Sequence, residues 1–361
     1  MSASLWGEPM RSKGLGWTLA ALGVVLVAAG LVLMLAIVPS MKKMPSDTNV
    51  TREYTGTMPV LFNPQTFQFM RNLPITLERH FAVVKTSGNV ALVKEERTMM
   101  SGGKPLEQIV EDYAIDRSTI MATDKYPSDW AQTEGFWPRQ GIVISWPIGS
   151  QKKTYPGWSD DYRGTVPLTY AGEMTYSRSG TKVYLYTSSS GPKPIDPAEV
   201  KALGLPTELP KTKLTALVGA AQMSPLVVQM LPSILKGIPG ANVPLGYTYE
   251  YTGKYWIDPT TGIIIDTQKH ELRKVGLSDA VIAKTPLALL GDAQKAAMRV
   301  PVSDYTYQAT DASVQAAKKD AQDKGSDIRL FGTTLPWIGI GVGAALLLLG
   351  GFVVIRRSAT A

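Results

Sequence analysis

Two uninterrupted apolar runs, one near each end of the chain, constrain this sequence more than any other feature. Gly14 to Val38, GLGWTLAALGVVLVAAGLVLMLAIV, holds about 25 residues without a charge, and Leu335 to Ile355, LPWIGIGVGAALLLLGGFVVI, about 21, where roughly 20 apolar residues span a bilayer. A helix satisfies its own backbone donors and acceptors, which hydrocarbon cannot do, and glycines within such runs are ordinary in membrane helices. Both runs are expected to be transmembrane helices, with the lipid bilayer as the first partner. The first is too long for the apolar core of a cleaved signal peptide, and Met34 stands where a small residue should precede cleavage after Ala36, so it reads as an uncleaved anchor.

Charge at the borders gives the expected orientation. Arg11 and Lys13 precede the first run, and Arg356 and Arg357 follow the second with no acid to offset them, which places residues 1–13 and 356–361 in the cytoplasm. Lys42 and Lys43 oppose that vote at the first span. Trp17 and Trp337 stand near run edges, where an interfacial indole is expected. Residues 44–330 then form an extracytoplasmic domain, within which no repeat or linker marks a boundary. The net charge of +7 sits largely beside the two runs, leaving the middle region at about +2. With no stripe of Lys and Arg interleaved with aromatics, no nucleic-acid partner is expected. Zero cysteines exclude disulfides, thiolate metal sites and cysteine nucleophiles, and a region this long can bury enough core without them.

The middle region reads as strands interrupted by helices. His80–Arg97 shows two β-branched runs broken at Ser87-Gly88-Asn89, Thr169–Gly191 alternates around Ser179-Gly180, and all fifteen tyrosines lie between the two apolar runs. YWIDPTTGIIID, Tyr255 to Asp266, is a hairpin with its turn chemistry written out. Asp258 can accept from turn amides, Pro259 fixes φ, and Gly262 supplies the positive φ that re-enters the sheet. Tyr247, Tyr249 and Tyr251 share one face of the preceding strand. Residues 196–240 differ: Asp196-Pro197 is a good helix start, and Leu214–Gly237 is apolar but broken by Pro225 and Pro232 into short helices. Further helices are expected over 279–298 and over 311–325, the latter capped by Thr310 or Asp311. The fold class is therefore α+β, an antiparallel β-rich domain with an apolar helical insertion, flanked by two membrane helices.

Catalytic chemistry has few handles here. There is no H-E-x-x-H, G-x-S-x-G, P-loop or dinucleotide fingerprint, and His80 and His270 stand in separate strand-like runs. His270 and Glu271 point to opposite faces of a strand and cannot chelate one ion together. Asp160 and Asp161 in WSDDYRG lack the spaced oxygens of a calcium loop and read as a solvated turn. No enzyme activity, cofactor or metal is expected.

The segments YAIDRST, GIVISWPIGSQKKTYPGWSDDYRGTVPLTYAGE, KVYLYTS and YWIDPTTGIIID, followed by an Ala-rich stretch and a last helix ending in arginines, resemble the PorA family of membrane proteins, through most of residues 110–357. The family name implies porin activity and no catalytic residues. Two terminal spans around a β-rich domain are also similar in outline to the class B scavenger receptors, which bind and pass lipids. The residues that motivate a lipid-like or other apolar envelope ligand are Leu226, Val227, Met230, Leu231, Ile234 and Leu235, a set more apolar than a surface helix needs; these side chains could equally pack on the sheet. A structural or assembly role, with an envelope protein as partner, is the alternative.

Overall fold

The computed structural model describes residues 10–64, 66–221, 223 and 225–358. Most of the tail expected at residues 1–13, and the last three residues of the one expected at 356–361, lie outside the described residues. The chain divides into two compact units, Met1–Met44 with Asp320–Ala361, and Pro45–Lys319. Its helices are α1 (Met10–Val32), α2 (Val38–Met41), α3 (Pro197–Ala202), α4 (Lys211–Ala220), α5 (Pro225–Gly237), α6 (Asp279–Ile282), α7 (Asp292–Ala297), α8 (Asp311–Arg329) and α9 (Leu335–Ser358). Its strands are β1 (Asn49–Asn63), β2 (Gln68–Ser87), β3 (Val90–Ser101), β4 (Lys104–Asp116), β5 (Met121–Ala122), β6 (Gly141–Ile142), β7 (Tyr155–Ser159), β8 (Gly164–Tyr176), β9 (Thr181–Pro194), β10 (Glu208–Pro210), β11 (Asn242–Ile257), β12 (Ile264–Leu277) and β13 (Val300–Ala309).

In the first unit α1 and α9 pack antiparallel along a seam of glycines. A Cβ added to Gly23 would lie 2.6 Å from the Gly343 carbonyl oxygen, one on Gly30 would lie 2.9 Å from the Pro336 oxygen, and one on Gly350 would lie 2.6 Å from the Gly16 oxygen. With no hydrophobic drive between helices in lipid, such close backbone approach is what holds two spans together. Both helices are long and apolar enough to cross a membrane, and their outward side chains are apolar too; Trp17 and Trp337 are both exposed. A π-helical turn at Leu33–Ile37 precedes Pro39, which has no N–H for the helical ladder.

In the second unit the strands close into a barrel. The order is β11-β12-β13-β1-β2-β3-β4-β5-β6-β7-β8-β9, and β9 returns to pair with β11 through Tyr186↔Tyr255 and Ser189↔Thr252. Twelve strands thus form a ring among the described residues, and β10 extends it by pairing with Asn242–Pro244 where β9 leaves off. The pairings are antiparallel except β6 with β7, which is parallel at Ile142↔Gly157. An antiparallel sheet is what the alternation implies; closure adds a sheltered interior and removes the exposed edges.

Strand alternation then sorts side chains into a lumen and an outer wall. On β1, Tyr54, Met58 and Phe62 are buried, while Thr51, Glu53, Thr55 and Thr57 are exposed. On β11, Tyr247, Tyr249 and Tyr251 share the buried face as expected, with Thr252 and Lys254 exposed opposite. A barrel that crosses a membrane carries an apolar outer band, whereas these strands present threonine, glutamate and lysine. The outer wall of β1 and β11 is therefore a water-facing one.

The local signals in the insertion hold. The Asp196 side chain accepts from the Ala198 amide at 2.8 Å and Pro197 opens α3, while Thr310 Oγ1 accepts from the Ser313 amide at 3.2 Å at the start of α8. Residues 196–240 form α3, the short β10, α4 and α5. Leu214, Leu217 and Val218 of α4 join buried side chains of α5 against Phe62, Val243, Leu245, Val275 and Leu277 at one level of the barrel.

Candidate functional site

The six residues singled out from the sequence separate on α5. Val227, Leu231, Ile234 and Leu235 are buried in the cluster between the helices and the barrel, Met230 is 37 % exposed, and the Leu226 side chain lies outside the described residues. A small apolar gap of about 30 Å³ remains beside this packing, lined among others by Leu214, Val227, Leu231, Val275 and Met298. Val228 is exposed on the same helix beside Gln229, Ser233 and Lys236, so the open face of α5 is mixed, with Val228 and Met230 as its apolar part.

Elsewhere the lumen has a different chemistry. Lys269, Glu271 and Arg273 occupy alternate positions of β12 and all point inward, against Tyr249 and Tyr251 of β11 and Tyr305 and Tyr307 of β13. Glu271 accepts hydrogen bonds from the hydroxyls of Tyr249 at 2.8 Å, Tyr305 at 2.9 Å and Tyr307 at 3.0 Å, and pairs with Lys269 at 3.3 Å. Burial raises its carboxyl, but Lys269, Arg273 and the tyrosine hydroxyls outweigh burial and hold it at about 2.

Glu95 on β3 anchors the opposite wall. It accepts from Arg79 Nε at 2.8 Å, Tyr113 Oη at 2.6 Å and Arg139 Nη1 at 3.3 Å. Here too burial is overcome, by Arg79, Arg97 and Arg139, and Glu95 sits at about 2. Arg97 Nη2 reaches Glu111 at 3.1 Å and Asp160 at 2.8 Å, and Arg139 pairs with the same two carboxylates while its guanidinium lies 4.1 Å from the Tyr113 ring centroid.

Asp160 and Asp161 are therefore not a solvated turn. Asp161 is 4 % exposed and takes a bidentate contact from Arg273, Nε at 2.6 Å and Nη2 at 3.0 Å. Asp160 accepts from Trp158 Nε1 at 2.7 Å. Their cationic partners come from β3, β12 and the segment before β6, none of them in the same turn, so local pattern has no means of revealing the burial. Beside them Glu199 of α3 is 4 % exposed and pairs with Arg163 at 2.7 Å. Burial and then the Asp160 charge push its carboxyl up to about 7, against the pull of Arg163.

These groups enclose a cavity of about 160 Å³ inside the barrel. The YWIDPTTGIIID hairpin positions part of its wall. Asp258 Oδ1 accepts from the amides of Thr260 at 3.0 Å and Thr261 at 2.8 Å, Gly262 adopts φ +75°, and the Gly262 oxygen accepts from the Trp146 amide at 3.0 Å. Trp146 is thereby held against Tyr186 and Tyr255 in the lumen. The hairpin is scaffold in its own atoms and serves the cavity through Trp146.

Glu95, Asp160, Asp161 and Glu271 each accept from two or more donors, whereas Glu199 is bonded to Arg163 with its carboxyl pushed up to about 7. His270 lies on the outer wall, 2.8 Å from Asp304, and His80 bonds Asn49. Among the described residues no group of three or more His, Cys, Asp or Glu side chains is placed to hold a metal ion.

A family model described as Porin PorA matches residues 15–352 of the chain. A Porin PorA of Corynebacterium amycolatum is 22 % identical over 395 residues, covering 96 % of this chain and the whole of that protein. A Porin PorA of Corynebacterium resistens is 24 % identical over 250 residues, covering 62 % of this chain and 58 % of that protein.

Proposed function

Because the chain belongs to the PorA porin family, we propose that it is a cell-envelope membrane protein whose barrel domain binds or transfers an apolar, lipid-like ligand at the α4–α5 cap, without enzymatic activity. In this reading both tails are cytoplasmic and residues 44–330 lie outside the cytoplasm. The observation that carries it is the exposed apolar pair Val228 and Met230 on the otherwise packed helix α5. Val227, Leu231, Ile234 and Leu235 pack inward while Val228 and Met230 stay exposed, and the apolar gap of about 30 Å³ marks where the cap meets the barrel wall. Val228 and Met230 interrupt an outer face that is polar at Gln229, Ser233 and Lys236. An acyl chain needs more room than this gap, so it would lie along the exposed Val228 and Met230 on the open face of α5. Native mass spectrometry with lipid extraction on the detergent-purified protein tests the reading: a co-purifying lipid-like mass is expected, and a lipid-free protein would refute it.

A channel role is the second reading, favoured by the closed barrel and the family. The polar outer wall of β1 and β11 and the ion pairs across the lumen mean that the barrel would conduct only after those pairs rearranged. Conductance of the purified protein in planar bilayers separates the two readings.

A further inference from the structure

Two buried N–H donors of side chains that line the lumen cavity have no acceptor, Arg139 Nε and Trp146 Nε1, while Arg97 Nε lies 3.5 Å from Glu95 Oε1. Arg139 and Trp146 are 4 % and 1 % exposed. Buried donors demand partners, and the nearby carboxylates are already engaged: Glu95 by Arg79, Tyr113 and Arg139, Asp160 by Trp158, and Glu271 by three tyrosines. What the cavity still requires is acceptor oxygen.

Its charge balance decides what kind. Arg79, Arg97, Arg139, Lys269 and Arg273 line the space together with Glu95, Glu107, Asp160, Asp161, Glu199 and Glu271, five cations against six carboxyls of which Glu199 is pushed up to about 7, so no positive charge is left over. An anion would add an uncompensated charge to a sheltered site, whereas a neutral hydroxylated molecule would not. The remaining walls are aromatic. Trp146 and Tyr255 have ring centroids 5.3 Å apart, and Tyr249 stacks on Tyr251 and Tyr305 on Tyr307 at 5.6 and 5.9 Å. Such faces suit the C–H surface of a ring whose edge carries hydroxyls. At about 160 Å³ the space holds about five water molecules at their share of liquid volume, roughly the bulk of one pyranose or cyclitol ring.

We propose that the barrel lumen is a binding site for a small uncharged polyol, a single sugar or cyclitol ring, with Arg139 Nε and Trp146 Nε1 donating to its oxygens and the tyrosines packing against its faces. No described residue of α4 or α5 lines this cavity, so the site is independent of the proposed lipid-like ligand.

The test is calorimetric titration of the full chain, purified in a detergent without a sugar head group, with glucose, myo-inositol and inorganic phosphate. Saturable binding of glucose or myo-inositol is expected, weakened about five- to tenfold by Trp146→Phe, which keeps a smaller aromatic face and removes the N–H donor, and unchanged by Lys254→Ala on the outer wall. Arg139→Lys, which keeps the cation but lacks Nε, reports on the same site if Trp146→Phe fails to fold. Absence of saturable polyol binding by the wild-type chain up to roughly 0.1 M overturns the proposal and leaves a cavity for water alone. Phosphate binding more tightly than either polyol overturns the assignment of an uncharged ligand. Because lipid content is a separate measurement, failure here leaves the cap reading standing, and the reverse also holds.

Discussion

A Cβ on Gly262 would lie 2.1 Å from the carbonyl oxygen of Trp146, so the tip of the β11–β12 hairpin and the segment carrying the lumen tryptophan fit together only because residue 262 is glycine. Gly262→Val meets this backbone contact as well as the positive φ, and should destabilise the barrel domain by more than the about 1 to 2 kcal/mol that the left-handed conformation alone costs. Asp258→Asn keeps Oδ1 as acceptor for the turn amides and should change stability by less than about 0.5 kcal/mol. Urea unfolding of both variants checks this; equal effects would mean that the turn geometry is misassigned.

Stability should depend on pH in two opposing ways. Glu199 sits at about 7, above its ordinary value of 4.5, so its contribution is complete at pH 4.5 and is lost as pH rises through 7. Glu95 and Glu271 sit at about 2, so theirs is present above 4.5 and is lost as pH falls toward 2. Glu199→Gln should flatten the decline between pH 5 and 7, which can reach about 2 kcal/mol, while leaving the acid limb intact. A decline of unchanged slope in the variant would show that another group is responsible.

The glycine seam makes the paired spans testable. A Cβ built on Gly332 lies 3.8 Å from Val38 Cγ1 and meets nothing nearer, which puts the two positions within disulfide reach without crowding, and the chain has no native cysteine. Val38→Cys with Gly332→Cys should cross-link within one chain under mild oxidation, and adding Gly23→Leu should abolish the cross-link by forcing the helices apart. Cross-linking that survives Gly23→Leu would contradict close packing at Gly343.

For the orientation proposed above, a cysteine replacing exposed Lys104 should react with a membrane-impermeant thiol reagent on intact cells, and one replacing Ser358 should react only after lysis. The opposite pattern would invert the topology.

How much of the molecule is legible in the sequence depends on whether the signal is local. The Asp258 turn, the Asp196 cap, the Thr310 cap and the tyrosine face of β11 are each written within a few residues, and the structure contains them all. Closure of the sheet is not legible, because it rests on Tyr186 meeting Tyr255, and no short stretch encodes a pairing between strands so far apart. The lumen is hidden for a related reason. Lys269, Glu271 and Arg273 alternate as a solvated face would, and only partners on other strands make an inward charged row tolerable. The seam between the spans, by contrast, does have a local signature: Gly16, Gly23 and Gly30 recur every seventh residue, as do Gly343 and Gly350, which marks one face of each span.

The proposed function stands or falls on the ligand-facing side of α5, which paired serine substitutions probe. Met230 is partly exposed and Ile234 is 9 % exposed, so Ile234→Ser should cost several kcal/mol through lost burial and an unsatisfied hydroxyl, while Met230→Ser should leave the melting temperature nearly unchanged. Thermal unfolding and bound-lipid content are measured on the same purified variants. Met230→Ser with an intact melting temperature and reduced lipid content is the predicted result; lipid content equal to wild type in that stable variant would contradict a ligand-facing cap.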